Sequence, residues 1–208
     1  MASGRCMLVE GANDKHVLLA IQGRFPIRLL DKDEVDDCGS WDKLAKQLPI
    51  RLKASDIEQL GIIVDADSDV ASRWSQLTRI LENAGYAGLP IDPNPAGTLI
   101  EPPPMSLLPR VGIWLMPDNR STGILEDFLR YLVPEGCSLM RHATEVVGSL
   151  PEVRFRPVSR PKAEIHTWLA WQEDPGRPLG QAITAKFFDV SGKEVTVFLT
   201  WLERLYTE

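Results

Sequence analysis

The sequence lacks the features that mark several common classes of protein. Its three cysteines, in 208 residues, are far apart and form no Cys-x-x-Cys pair, so neither a zinc site nor a disulfide framework is predicted. No run of about 18 apolar residues exists to span a membrane, and no signal peptide is evident. The phosphate-binding pattern Gly-x-x-x-x-Gly-Lys-Ser/Thr is missing as well. We therefore expect a cytoplasmic protein with reduced thiols, without membrane contact and without an ATPase module.

An excess of positive charge is also missing. The formal net charge is -6, whereas proteins that coat a nucleic-acid duplex are usually basic. This balance argues against stable nucleic-acid binding, although it leaves room for a nuclease with a transient substrate. Carboxylates that hold a metal ion add acidic residues of their own, and the bound cation reverses the local charge.

What the sequence does contain is an alternation of short apolar runs with amphipathic segments. Buried strands are predicted from apolar runs at residues 6–9, 27–30, 60–64 and 111–116, with a short edge strand at 98–100. Helical spacing of apolar residues is found at 14–23, 40–48, 70–84 and 121–132. Strands that alternate with helices in this way predict an α/β fold, with a Rossmann-like parallel or edge-mixed sheet between helices on both faces.

The pattern changes after residue 133 and becomes mainly helical. Helices are predicted near residues 138–148, 161–171 and 194–206. We interpret residues 1–208 as a single domain, in which a core at 1–133 is followed by a helical extension at 134–208.

Residue types at the helix ends predict where several helices begin and end. Asn13 or Asp14 is a candidate cap for the first helix, and Ser40 for the second. Pro49 is expected to end that second helix. The helix after the fourth central strand is expected to begin at Ser121 or Thr122.

Acidic residues follow the predicted strands repeatedly. Glu10 comes after the first strand, Asp31 after the second, Asp65 after the third and Asp118 after the fourth. In an open parallel sheet the carboxyl ends of the strands meet at one edge, where ligands bind. The sequence therefore predicts a cluster of carboxylates at that edge.

An Asp-x-Asp pair strengthens this prediction. Asp65 and Asp67 are two residues apart, so an extended backbone points both side chains to one side. Carboxylates in close contact raise one another's pKa, and a hard divalent cation such as Mg²⁺ relieves that repulsion. Most such pairs, taken alone, are solvated loop residues or helix caps. Together with Glu10 on the appropriate strand, the pair indicates a metal or phosphate site.

Two segments resemble the motifs of the Toprim family. Leu-Val-Glu-Gly-Ala-Asn-Asp at residues 8–14 resembles the first motif, a strand ending in Glu-Gly with an aspartate four positions after the glutamate. Ile-Ile-Val-Asp-Ala-Asp-Ser-Asp at residues 62–69 resembles the second, an Asp-x-Asp after a later strand. The resemblance covers roughly residues 5–130. Residues 117–126 and 166–183 resemble a small bacterial group of Toprim proteins similar to the "overcoming lysogenization defect" nucleases.

The resemblance implies Mg²⁺- or Mn²⁺-dependent chemistry on the phosphodiesters of DNA or RNA, for example in phage defence. Glu10 would act as a general base or a metal ligand, and Lys162 would steady charge on the phosphate in the transition state. Arg120 is a further candidate for phosphate binding. The remaining implied metal ligands are Asp14, Asp65, Asp67, Asp69 and Glu126.

Several of the candidate residues also have an ordinary structural interpretation. Asp14 would be favourable at a helix start through the helix dipole alone. Asp118 is of a type that favours turns. Glu126 and Lys162 would be unremarkable on a solvated helix surface.

Two other functions stay open. One is a non-catalytic regulator that uses the same fold to bind a nucleotide or a partner protein. The other is a receiver-like phosphoacceptor, disfavoured because its acidic pair should follow the first strand, where this chain has Glu10-Gly11. Toprim domains usually have neighbouring modules that this chain lacks, so an ATPase supplied by a partner protein is also an expectation.

Overall fold

The centre of the protein is a five-stranded, mostly parallel sheet in the order β2-β1-β3-β5-β4, with β4 antiparallel at one edge. The computed structural model describes residues 4–26 and 28–207. The strands are β1 (Arg5–Val9), β2 (Val35–Asp37), β3 (Gln59–Asp65), β4 (Thr98–Ile100) and β5 (Arg110–Met116). The predicted α/β architecture, with helices on both faces, is confirmed.

Eight helices surround the sheet in the described part of the chain. They are α1 (Ala12–Gln22), α2 (Trp41–Arg51), α3 (Val70–Ala84), α4 (Leu125–Tyr131), α5 (Ser138–Gly148), α6 (Arg160–Leu169), α7 (Leu179–Thr184) and α8 (Lys193–Thr207). Helices α2 and α3 bury their apolar side chains in one cluster, and the other six contribute to a second cluster. The helices after residue 133 therefore share a core with α1 and α4.

Alternation of side chains along β1 separates these two clusters. Met7 and Val9 belong to the cluster with α1 and α8, whereas Cys6 and Leu8 belong to the cluster with α2 and α3. All four side chains are buried, because successive residues of a strand point to opposite faces and both faces are covered by helices. This explains the continuous apolar run in the sequence.

Helix α8 packs closely on the sheet because two central strands carry a glycine beneath it. A side chain at Gly61 would lie 2.7 Å from the hydroxyl of Tyr206, and one at Gly112 would lie 2.5 Å from Leu205. The Tyr206 hydroxyl donates a hydrogen bond of 2.7 Å to the carbonyl oxygen of Cys6 in β1. The last helix is thus tied to the first strand.

The second strand was predicted in the wrong place. Residues 28–30 are not a strand, and β2 lies instead at Val35–Asp37; Ile27 is outside the described residues. Leu29 and Leu30 are buried all the same in the cluster that contains α1, and the side chain of Gln22 accepts hydrogen bonds from both of their N–H groups. These hydrogen bonds satisfy the buried backbone N–H groups without a neighbouring strand. The apolar run therefore looks like a strand in the sequence although it joins no sheet.

Three helix boundaries also differ from the prediction. Helix α1 is capped by Gly11, one turn before Asp14, and α4 begins after Ile124, not at Ser121 or Thr122. Pro49 lies inside α2, which continues to Arg51. A proline this close to the end removes one backbone hydrogen bond, and the buried Leu48 and Leu52 still hold the last turn against the core.

Helix α7 was not predicted at all, because its six residues are too few for a clear periodic pattern. No helix within residues 4–26 and 28–207 has both the length and the apolar character needed to cross a bilayer.

Candidate functional site

The carboxyl ends of β1 and β3 bring two acidic residues into contact. The strands are parallel neighbours, so Glu10, which follows β1, lies beside Asp65, which ends β3. The Glu10 Oε1 atom accepts a hydrogen bond of 3.0 Å from the backbone N–H of Asp65. On the other side of β3, Asp65 is paired with Met116 of β5. The carboxylates therefore lie at the centre of the sheet edge.

A cavity of about 270 Å³ opens beside this edge, and its charged lining comes from four elements. Asp14 belongs to the first turn of α1, Asp65 to β3, Glu126 to the first turn of α4, and Lys162 to the first turn of α6. Helix α1 starts immediately after Glu10-Gly11, which is why Asp14 lies over the end of the strand. We call these four residues the cavity group.

Hydrogen bonds and an ion pair fix three members of the cavity group. Asp65 Oδ1 accepts a hydrogen bond of 2.9 Å from the backbone N–H of Leu125, at the start of α4. The next residue, Glu126, is only 3% exposed, and its Oε1 lies 3.6 Å from Nζ of Lys162. The lysine side chain is about half exposed, so it reaches the cavity from the solvent side.

Burial and mutual repulsion make this site costly for negative charge. Burial, followed by repulsion from Asp14, Glu10 and Asp67, raises the pKa of Asp65 well above its ordinary value. The same two effects, with Glu10 as the main neighbour, raise the pKa of Asp14 from 3.8 to about 7. Burial also raises the pKa of Glu10, although Arg73 opposes the shift. A bound cation or proton would relieve this repulsion.

One buried oxygen of the cavity group has no partner among the residues that the structure describes. The Oδ1 atom of Asp14 is buried and makes no hydrogen bond within the described part of the chain. Within residues 4–26 and 28–207, however, no three histidine, cysteine, aspartate or glutamate side chains are preformed as a metal-binding group. The main chain and Lys162 hold several of the carboxylate oxygens instead. The unpartnered oxygen and the excess of carboxylates fit an oxygen-seeking cation such as Mg²⁺.

The other two aspartates of the Asp-x-Asp segment are separate from this cavity. Asp67 Oδ2 lies 2.5 Å from the guanidinium of Arg73, and Asp69 caps α3 by accepting a hydrogen bond of 2.9 Å from the N–H of Ser72. Asp67 has a positive φ of 53° and exchanges two backbone hydrogen bonds with Gly123, so its backbone is not extended there. We call Asp67, Asp69 and Arg73 the neutralised group.

Arg73 is the residue of this region that sequence reasoning missed. It is only 7% exposed, donates a hydrogen bond of 2.9 Å to the carbonyl oxygen of Asp65, and lies over the ring of Trp41 at 4.1 Å. In the sequence, the feature that indicates burial of Arg73 is its position next to Trp74, which faces inward from α3. A cation at a buried helix position, just after an acidic segment, commonly pairs with that segment.

Arg120 and Asp118 lie at a different place, in the loop after β5. Both line a second cavity, of about 490 Å³. Asp118 accepts hydrogen bonds from the N–H groups of Arg120 and Ser121 and from the hydroxyls of Ser121 and Tyr131. These donors lower the pKa of Asp118 despite its partial burial, which by itself would raise it. Asp118 therefore organises the loop, as its residue type suggested.

Comparison with known families gives one result. The model of a family described as "Protein of unknown function (DUF3226)" matches residues 4–207 of the chain. Searches among curated proteins and among solved structures returned no significant match.

Proposed function

We propose that this chain, which belongs to the family described as "Protein of unknown function (DUF3226)", is a Mg²⁺- or Mn²⁺-dependent phosphodiesterase that cleaves DNA or RNA. The observation that carries the proposal is the cavity group, in which three carboxylates and a lysine from four elements line one cavity at the carboxyl edge of the sheet. The resemblance of residues 8–14 and 62–69 to Toprim motifs supports it further. The proposal includes a cytoplasmic location, where the buried free thiols of Cys6 and Cys38 are expected to stay reduced.

Asp14, Asp65 and Glu126 are the residues that would hold the metal ion. The bound cation would polarise a phosphoryl oxygen and lower the pKa of a bound water. Asp14 offers an oxygen with no other partner, and Asp65 and Glu126 each have one oxygen that no hydrogen bond or ion pair of the described residues engages. Each of the three can therefore turn an oxygen towards the cavity without a change in fold.

Glu10 would act as the general base, and Lys162 would balance negative charge on the phosphate. The pKa of Glu10 is raised by its burial, and a carboxylate with a higher pKa is a better general base near neutral pH. The hydrogen bond from the Asp65 N–H occupies Oε1 and fixes the side chain. Lys162 neutralises Glu126 in the free protein, and a phosphate in the cavity would offer its ammonium group a second anion.

A cleavage panel tests the proposal directly. Purified protein is incubated with Mg²⁺ or Mn²⁺ and with supercoiled plasmid, linear DNA, single-stranded DNA or RNA. We expect metal-dependent cleavage of at least one substrate, lost on addition of a chelator and in Asp65→Asn. The substitution keeps the size of the side chain and removes its charge.

Asp69→Asn is the matched control, because it removes a charge from the same segment but leaves a side chain that still caps α3. Cleavage should be unchanged in this variant. Cleavage that persists in both Asp65→Asn and Asp14→Asn would refute the proposal, since the cleavage would then come from a contaminating nuclease.

A second function is favoured by one observation. The formal net charge of -6 argues against stable binding of a nucleic-acid substrate, which suits a non-catalytic regulator that uses the same fold to bind a nucleotide or a partner protein. For a regulator of this kind, Mg²⁺ should raise the melting temperature, this rise should be smaller in Asp65→Asn, and no substrate in the panel should be cleaved.

A further inference from the structure

The second cavity lies next to the carboxylate site along the sheet edge. Asp65 pairs with Met116 in the sheet, and the loop that lines the cavity, at residues 117–120, begins with the following residue. The same loop continues to Gly123, which is bonded to Asp67, and to Leu125, whose N–H binds Asp65. One segment of 117–125 therefore borders both sites.

The walls of this cavity combine apolar surface with an exposed aromatic ring. Pro95 and Ala96 come from the loop before β4, Val197 comes from α8, and Trp114 comes from β5. The ring of Tyr131, at the end of α4, is 42% exposed. Its hydroxyl donates a hydrogen bond of 3.1 Å to Asp118, which holds the ring in place. A fixed, accessible ring is a surface on which a planar base can stack.

The charged side chains of the cavity are available for a ligand. Arg120 and Lys193 make no side-chain hydrogen bond or ion pair with any residue that the structure describes, although both line the cavity. Asp118 brings a negative charge, but four donors already bind its two oxygens. Glu194, the next residue after Lys193, is exposed and lines the cavity, where its carboxylate can accept a hydrogen bond.

We infer that this cavity binds a nucleotide. A phosphate would lie between Arg120 and Lys193, and the base would stack on Tyr131, with an exocyclic amino group donating to Glu194. The volume of about 490 Å³ falls in the range of small-molecule sites, roughly 300–1,000 Å³. Other anions match less well, because an inorganic phosphate would leave the aromatic and apolar walls uncovered.

Two sources could supply such a nucleotide: a free nucleoside monophosphate, or one unit of a nucleic-acid strand. We assign it to the strand, because the loop that forms the cavity also borders the carboxylate site, so that a bound unit would place its neighbouring phosphodiester near Asp65. This assignment to the substrate rests on the proposed function, whereas nucleotide binding itself does not.

Calorimetric titration of the whole chain tests the inference. The ligands are the four nucleoside monophosphates, adenosine, inorganic phosphate and a single-stranded hexanucleotide, each with a chelator present. We expect at least one monophosphate to bind more tightly than adenosine or phosphate, and the hexanucleotide to bind most tightly. The single variant Tyr131→Leu should weaken binding by roughly tenfold, as expected for one lost stacking contact, and the double variant Arg120→Ala/Lys193→Ala, which removes both cations, should weaken it by at least as much.

The control variant Arg79→Ala/Lys46→Ala removes the same charges from exposed positions outside the cavity, in α3 and α2. It should bind like the original protein. Equal losses in both double variants, or no saturable binding of any nucleotide, overturn the inference. A hexanucleotide that binds no more tightly than the monophosphate overturns the assignment to a strand.

Asp65→Asn separates this inference from the proposed function. Nucleotide binding should persist in that variant, since Asp65 does not line the second cavity. A protein that binds nucleotides through Arg120 and Lys193 but cleaves nothing would support the inference and refute the nuclease.

Discussion

The cavity group and the neutralised group both draw aspartates from residues 65–69, yet the surroundings of these aspartates differ. Asp67 and Asp69 are balanced locally, by the guanidinium of Arg73 and by the free N–H groups at the start of α3. Asp65, two residues earlier, meets further carboxylates from distant segments. Charge that the chain itself neutralises stabilises the structure, whereas charge left in excess at a cavity is what a cation or phosphate ligand can use.

The largest expected effect is on metal affinity. The double variant Asp65→Asn/Glu126→Gln should weaken Mn²⁺ binding by more than about 100-fold, because even outer ligands of metal sites contribute roughly 10–100-fold. Calorimetric titration with Mn²⁺ measures this. Asp67→Asn/Asp69→Asn removes two charges from the neutralised group and should bind Mn²⁺ almost normally. Similar losses in both double variants would abolish the distinction between the two groups.

The next effect is a pH dependence of stability. Because the folded-state pKa of Asp14 is raised from 3.8 to about 7, the folded protein favours the protonated form of this residue. Its contribution to stability is therefore complete below pH 3.8 and is lost as the pH rises to about 7. Relative to Asp14→Asn, the original protein should lose about 4 kcal/mol over this interval.

Urea unfolding at a series of pH values, with a chelator present, measures that difference. Added Mg²⁺ at pH 8 should restore part of the lost stability to the original protein but not to Asp14→Asn. A constant difference between the two proteins at all pH values would contradict the raised pKa.

A smaller loss of stability is expected for Arg73→Met. This change keeps much of the side-chain volume but leaves Asp67 without its ion pair and the Asp65 carbonyl without its donor. Since Asp67 is about half exposed, we expect a loss of only about 2 kcal/mol in the free energy of unfolding. Urea unfolding compares it with Arg79→Met, an exposed arginine of the same helix, which should lose almost nothing. Equal stability of the two variants would show that Arg73 does not hold the neutralised group.

The smallest effect is expected at the helix cap. Asp69→Ala should lower the free energy of unfolding by about 1 kcal/mol, as for other capping residues, and Asp69→Asn by much less. Metal binding and any cleavage should be the same in both variants. A loss of metal binding in Asp69→Asn would place this residue with the cavity group after all.

Most of the strands and helices were accessible from sequence because each of them carries its own local signal. The apolar run that became β3, for instance, ends at Asp65 as predicted, and Gly85 ends α3 with a positive φ of 113°. The second strand was missed because Leu29 and Leu30 are buried without joining the sheet. Their N–H groups donate to the side chain of Gln22, a contact that local periodicity does not report. The start of α4 was missed for a similar reason, since the N–H of Leu125 binds Asp65, sixty positions away.

The candidate site, too, was predictable from the sequence only in part. The sequence by itself determined that Glu10 and Asp65 follow buried strands, and parallel strands bring such residues to one edge. Only the tertiary structure decided which further carboxylates join them: Asp14 and Glu126 line the cavity, whereas Asp67 and Asp69 do not. The reason is that two residues of an Asp-x-Asp pair point to the same side only where the backbone is extended. The hydrogen bonds between Asp67 and Gly123, and the ion pair with Arg73, turn Asp67 away after β3 has ended.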